Sequence, residues 1–154
     1  MNAASRSEPA ADDRESAYEL LQRGLALTRR RHHAQAAIVL ARAARAEPRK
    51  GSILEPLGRA YHLTRQYELA RDTFELLLEV DPLNHWAHFA LAESLRHLGR
   101  PDAARTHLRL AIAMAPRSEL YRRALGRLDA ISPPAADGSS SAGDAAGAAD
   151  SPRA

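Results

Sequence analysis

Pro48, Pro82 and Pro116 stand 34 residues apart, closing "AEP", "VDP" and "MAP" after strongly helical runs. Proline lacks the amide that a helix interior needs and pushes the preceding residue toward extended angles, so each is a stop signal. Predicted helices therefore run over about 34–47, 68–80 and 102–114. A second helical pattern precedes each, over about 17–30, 52–64 and 85–98. Ser16 with Glu19, and Ser52 with Glu55, have the spacing of capping boxes, in which each side chain satisfies an orphan amide of the other residue. Asn84 is the candidate N-cap of the third pair. Pro56 falls near the fourth helical position of its segment, where only an early hydrogen bond is forfeited.

Superimposing the 34-residue frames aligns Gly24, Gly58 and Ala92, and likewise Ala36, Ala70 and Ala104. Leu40, Phe74 and Leu108 coincide, as do Ala43, Leu77 and Ala111, and Leu27, Tyr61 and Leu95. Small residues recur where two helices approach closely, with a large one filling the space beside them. This order of small, small, bulky, small and proline resembles the tetratricopeptide repeat, a helix–turn–helix unit of the same period. The resemblance covers residues 17 to 116, with Leu20, Leu54 and His88 in place of the family's early tryptophan and Arg23 in place of a usual leucine. It implies an all-α fold, an α-solenoid of three repeats over about 17–50, 51–84 and 85–118. A seventh helix, over about 118–131, carries Tyr121, Ala124, Leu125, Leu128 and Ile131 on one stripe. Family members close their last open apolar face with such a solvating cap.

Outside that array the composition changes. Residues 1–14 are small and polar, and residues 133–154 form a low-complexity tract without a bulky apolar side chain. Neither buries enough surface to offset chain entropy, so both are expected to be disordered tails around a folded domain at 15–132. Setting the tails aside removes three of the 22 basic residues and six of the 19 acidic ones, so the folded part carries a net +6. Of the basic residues only Lys50 is lysine, and alanine is abundant, a bias that reads as codon usage more than as selection for phosphate recognition. Cysteine is absent, which excludes disulfides, thiolate metal sites and cysteine nucleophiles. No N-terminal h-region or run of roughly 18 apolar residues is found, so a soluble, cytoplasmic location without membrane contact is expected.

In the first helix of each unit, the family's concave groove is lined by a stripe rotated about a third of a turn from the intra-repeat packing stripe. The resemblance places Tyr18, Leu21, Leu25 and Thr28 on it in repeat one, and Ser52, Glu55, Arg59 and His62 in repeat two. Trp86, Phe89, Glu93 and Arg96 follow in repeat three, then Leu120, Arg123 and Arg127 on the cap. Trp86 is the only tryptophan, and a Trp/Phe pair beside arginines has the composition of a binding hot spot. The competing expectation is that Trp86 folds over the preceding turn and staples to Leu83. A groove apolar at its start, mixed in the middle and aromatic with arginine at its end suits a peptide with apolar anchors and some acidic residues. Relatives that grip a C-terminal carboxylate use lysine, asparagine and arginine at positions occupied here by Leu21, Leu25, Pro56, Trp86 and Ala90. None of these holds an anion, so a carboxylate-clamp chaperone adaptor is not expected.

Other chemistries find little support. "TRRRHHAQ" gathers Arg29, Arg30 and Arg31 in one inter-helix turn, but without the aromatic interleaving of a nucleic-acid site it reads as a solvated turn. His85 and His88 share a helix face without HExxH or a carboxylate at ligand spacing, so no metal or cofactor is expected. Glu55 and Glu93 each have an arginine one turn along the helix, the pattern of salt-bridged lining. The sequence thus points to a non-catalytic interaction module or scaffold that binds a protein or peptide segment. Weak nucleic-acid binding through the basic body, or self-association through the apolar start of the groove, are the alternative readings.

Overall fold

The computed structural model describes residues 15–136, so the expectations for residues 1–14 and 137–154 lie outside the described residues. Among the described residues seven helices follow one another: α1 (Ala17–Arg29), α2 (His33–Ala46), α3 (Gly51–Leu63), α4 (Tyr67–Val80), α5 (His85–His97), α6 (Pro101–Met114) and α7 (Glu119–Ile131). No strand occurs among the described residues. The helices pack as the hairpins α1/α2, α3/α4 and α5/α6, and each hairpin leans on the next through α2/α3, α4/α5 and α6/α7. This is an α-solenoid.

Each hairpin is held by the small-against-large pairs of the repeat. Ala36, Ala70 and Ala104 are fully buried, as are Leu40, Phe74 and Leu108. A Cβ added to Gly24 would stand 2.6 Å from Leu40 Cδ2, and one on Gly58 would stand 2.6 Å from Phe74 Cε1. Hydrogen is the only side chain that fits between those helices. In the third hairpin Ala92 and Leu108 hold the equivalent positions, and both are buried.

The turns repeat as faithfully as the core. Within each hairpin the chain turns through a left-handed residue at Arg31 (φ 62°), Arg65 (φ 62°) or Gly99 (φ 71°). At the first, the His32 amide donates to the Leu27 carbonyl and the Arg31 amide to the Thr28 carbonyl. The same paired bonds recur 34 residues later at Gln66–Tyr61 and Arg65–His62, and again at Arg100–Leu95 and Gly99–Arg96. This double closure satisfies the orphan carbonyls at a helix end. Between hairpins, Glu47 (φ −133°, ψ 80°), Asp81 (φ −136°, ψ 84°) and Ala115 (φ −133°, ψ 70°) leave the helical region ahead of their prolines.

Local expectations are met at α1, where Ser16 and Glu19 form the reciprocal box, and at α5, where Asn84 Oδ1 accepts from the Ala87 amide at 2.9 Å. The Ser52–Glu55 box is not formed. Helix α3 begins at Gly51 with Lys50 as an N-cap that makes no side-chain bond, so Ser52 already lies inside the helix. Pro56 consequently sits two positions deeper than expected. Helix α7 buries Tyr121, Ala124 and Leu128, but Ile131 at its end is 74% exposed and does not join the core. Arg105, buried on α6, ties the cap down by bonding Asp129 Oδ1 at 2.7 Å and the Ser132 carbonyl.

Candidate functional site

Helices α3, α4 and α5 together enclose a recess of about 210 Å³. Its walls are Arg59, His62 and Leu63 from α3 and Trp86, Phe89, Ala90 and Glu93 from α5, with Phe74 of α4 between them. Regular helices put Trp86, Phe89 and Glu93 on one face by spacings of three and four, and the 34-residue repeat puts Arg59 on the matching face of α3. Trp86 is half-buried and meets the Phe74 ring edge-on, with centroids 5.7 Å apart. The Arg59 guanidinium carbon lies 4.7 Å from the Trp86 ring centroid, a cation–π contact. Phe89 stacks on Tyr121 at 5.1 Å, and the Tyr121 hydroxyl and His85 Nδ1 are 2.8 Å apart. The staple expected between Trp86 and Leu83 is not formed: Leu83 is 77% exposed, and Trp86 packs on Phe74 instead.

The polar rim is largely organised within the protein. Arg96 donates to Glu93 at 3.1 Å, whereas Glu55 and Arg59 approach only to 3.9 Å. His62 Nδ1 lies 3.2 Å from Ser94 Oγ. The Ser94 hydroxyl proton is given to the Ala90 carbonyl, so His62 is the donor in this pair. Its ring also meets Tyr67 and His97 edge-on, while Tyr67 and His97 stack at 4.2 Å. Burial depresses the His62 pKa below its usual 6.5, assisted by His97 and Arg96 and opposed by Glu93. His97 is depressed as well, by burial and then by Arg96. Both rings are therefore biased toward the neutral form.

Among the fifteen groove residues read from the sequence, the recess gathers Arg59, His62, Trp86, Phe89 and Glu93. Glu55 and Arg96 adjoin it through their ion pairs. Tyr18, Leu21 and Leu25 belong to α1 and do not line it. Tyr18 is 66% exposed, Leu21 is buried in the core of the first hairpin, and Leu25 packs half-buried against that core. Sequence reasoning missed Phe74 as a wall and Tyr121 as the support of Phe89, since both contacts join different repeats. It also missed the pairing of His88 Nδ1 with His107 Nδ1 at 2.9 Å, which places His88 inside the α5/α6 contact. No three His, Cys, Asp or Glu side chains converge as metal ligands among the described residues. Nor is any helix among them long and apolar enough to cross a membrane.

A larger depression, about 640 Å³, lies between α2 and α4. It exists because α2 presents Ala41 and Ala44 there, and its Asp72 is already held by Arg71 at 2.7 Å. Tyr61 is the one aromatic side chain that lines it, whereas the rings of Phe74, Trp86 and Phe89 converge with a guanidinium at the α3/α5 recess, which is the candidate site.

Stacked helical hairpins with an aromatic recess between first helices define a helical-repeat interaction protein. The tetratricopeptide repeat model matches residues 21–84 and 64–119, and the chain belongs to that family. No curated protein matches it in sequence. Among solved structures it is similar to the first TPR of Spaghetti (RPAP3) bound to the HSP90 peptide SRMEEVD, with TM-score 0.71 and 13% identity over 75% of this chain and 92% of that one. MamA from Desulfovibrio magneticus RS-1 gives a TM-score of 0.74 at 18% identity, covering 77% of this chain and 67% of that one. The Arabidopsis OM64 TPR domain gives 0.69 at 16% identity over 73% and 93%. These likenesses show the fold alone; the tetratricopeptide family to which the chain belongs is one of protein–protein interaction scaffolds that are generally non-catalytic.

Proposed function

We propose that this protein is a non-catalytic interaction module that binds a segment of another protein in the groove lined by α1, α3, α5 and α7. The observation that carries this reading is the recess around Trp86: an aromatic wall, half-buried in the free protein, beneath a guanidinium and beside a second ring. Tryptophan and arginine dominate binding hot spots because they combine a large apolar face with directional donors. The partner is a peptide that supplies apolar anchors and some acidic residues. A carboxylate clamp is not part of the proposal, since Leu21 and Trp86 stand where an anion would need donors and Leu21 is buried.

Trp86 reports on its own role, because it is the only tryptophan in the chain. In the free protein its emission is expected to be accessible to acrylamide and to shift blue when a partner peptide binds. Trp86→Ala is expected to weaken binding by about 2 kcal/mol or more. It also removes the edge-on contact with Phe74, a term of about 0.5–1.5 kcal/mol beyond area burial, so stability falls as well. A blue, unquenchable emission in the free chain, with binding unchanged in Trp86→Ala, would remove the basis of this reading.

A further inference from the structure

The Trp86 recess has room for one bulky side chain. A cavity of about 150 Å³ already holds a benzene ring, and this one measures about 210 Å³. Two arginines flank it and they are not equivalent. Arg96 is committed to Glu93 at 3.1 Å, with the Glu93 side chain only 16% exposed. Arg59 reaches its carboxylate partner, Glu55, only at 3.9 Å, and both side chains are about half exposed. Glu55 does not line the recess, whereas Arg59 does. The Arg59 guanidinium carbon lies 4.7 Å from the Trp86 ring centroid, and at 3.9 Å Glu55 is an ion-pair neighbour beyond hydrogen-bond distance, so the N–H donors of Arg59 remain for a ligand. A carboxylate is the group that such a fork fits best. Across the whole stripe Arg59, Arg96, Arg123 and Arg127 outnumber Glu55 and Glu93, so the wider field also favours an acidic segment.

We infer that Arg59 is the specificity-determining residue of the groove, reading the charge beside a single apolar anchor seated against Trp86. Peptides with a carboxylate next to the anchor are accepted, and those with a cation there are rejected by the guanidinium. The inference rests on the groove being a peptide site, and its test separates the two ideas. Random linear peptides displayed on phage are selected on the full chain and on its Trp86→Ala, Ala90→Leu, Arg59→Gln and Arg59→Glu variants, each checked for helical circular dichroism. Peptides enriched on the parent are expected to share one bulky apolar residue with Asp or Glu beside it. Ala90→Leu, which fills the recess, abolishes the anchor preference. Arg59→Gln keeps the anchor and loses the charge preference, and it serves alone should Arg59→Glu not fold. Arg59→Glu inverts the preference toward Lys and Arg, moving the acidic-to-basic ratio by about tenfold or more, the effect of about 1.4 kcal/mol. Arg59 is not the reader if the two Arg59 variants select the same acidic peptides as the parent, or if parent-selected peptides lack a bulky anchor. The groove reading survives either result provided Trp86→Ala loses those peptides. If Trp86→Ala retains them, or if no peptide is enriched on the parent, the groove reading fails and the role of Arg59 fails with it.

Discussion

Gly58 and Gly126 are both helical glycines, and packing alone separates them. A methyl group on Gly58 would collide with the Phe74 ring, while nothing lies within 4 Å of one on Gly126. Alanine gains about 1 kcal/mol of helix propensity at either position. Overpacking a closed contact costs about 1–3 kcal/mol. Gly58→Ala is therefore expected to lower the urea midpoint and Gly126→Ala to raise it, and shifts of the same sign would show that close approach is not what holds Gly58. The left-handed turn gives a second contrast. Arg65 (φ 62°) bears a strain of about 1–2 kcal/mol that the equivalent Gly99 avoids. Arg65→Gly is expected to be neutral or slightly stabilising, where an ordinary exposed residue changed to glycine loses stability. Much of this was legible: superposed frames paired Gly58 with Gly24 and Ala92, and bulky Phe74 with Leu40 and Leu108. The contact of Phe74 with Trp86 was not, because it depends on how the second and third hairpins are rotated against each other.

At the scale of helices, the least legible feature is the contact of α5 with α6. His88 was read as a replacement for tryptophan and weighed with His85 as a metal pair, yet its Nε2–H donates to the Pro82 carbonyl at 3.1 Å. That leaves Nδ1 as a lone pair to accept from His107 Nδ1–H. A chain has no local signal for a pair 19 residues apart, since each histidine alone looks like a surface residue. The pair shares one proton between facing nitrogens, so full protonation of both rings is incompatible with it. Burial, and then the neighbouring His88, depress the His107 pKa below 6.5. The folded form thus binds fewer protons than the unfolded one once pH drops below about 6.5, and stability falls with it. His62 and His97 shift in the same direction and add to the effect. The melting temperature is expected to be flat above neutrality and to decline from pH 6.5 downward, less steeply in His107→Gln. A profile unchanged by that substitution would place the titration elsewhere. Caps were only partly readable for a related reason. Ser16 and Ser52 have the same spacing to glutamate, but Lys50 and Gly51 let α3 start before Ser52, leaving nothing for it to cap.

Over the whole molecule, stability is a sum of hairpin terms and nearest-neighbour contacts, with no central core to lose at once. Helix α7 is the last such neighbour: Tyr121, Ala124 and Leu128 are buried, and Arg105 holds Asp129 at 2.7 Å. We propose 15–132 as the minimal folded unit. Outside it the chain brings no bulky apolar side chain except Met1. Removing residues 1–14 and 133–154 is expected to leave the thermal midpoint unchanged, whereas stopping at residue 117 exposes the face beneath α7 and lowers it markedly. Equal loss from both truncations would mean that a tail packs on the array. The same fragment distinguishes the groove from a phosphate-binding surface, because it concentrates charge to a net +6. A protein that neutralises several phosphates loses affinity by orders of magnitude between about 50 and 200 mM salt, through counterion release. An anchor seated in an aromatic recess depends on buried apolar area and only secondarily on the field. Binding of a selected peptide to residues 15–132 is accordingly expected to weaken by less than about tenfold over that range. It should fail on Trp86→Ala and survive replacement of Arg29, Arg30 and Arg31 by glutamine. The opposite ranking, with steep salt dependence and loss on the triple glutamine variant, would move the binding surface from the groove to the α1–α2 turn.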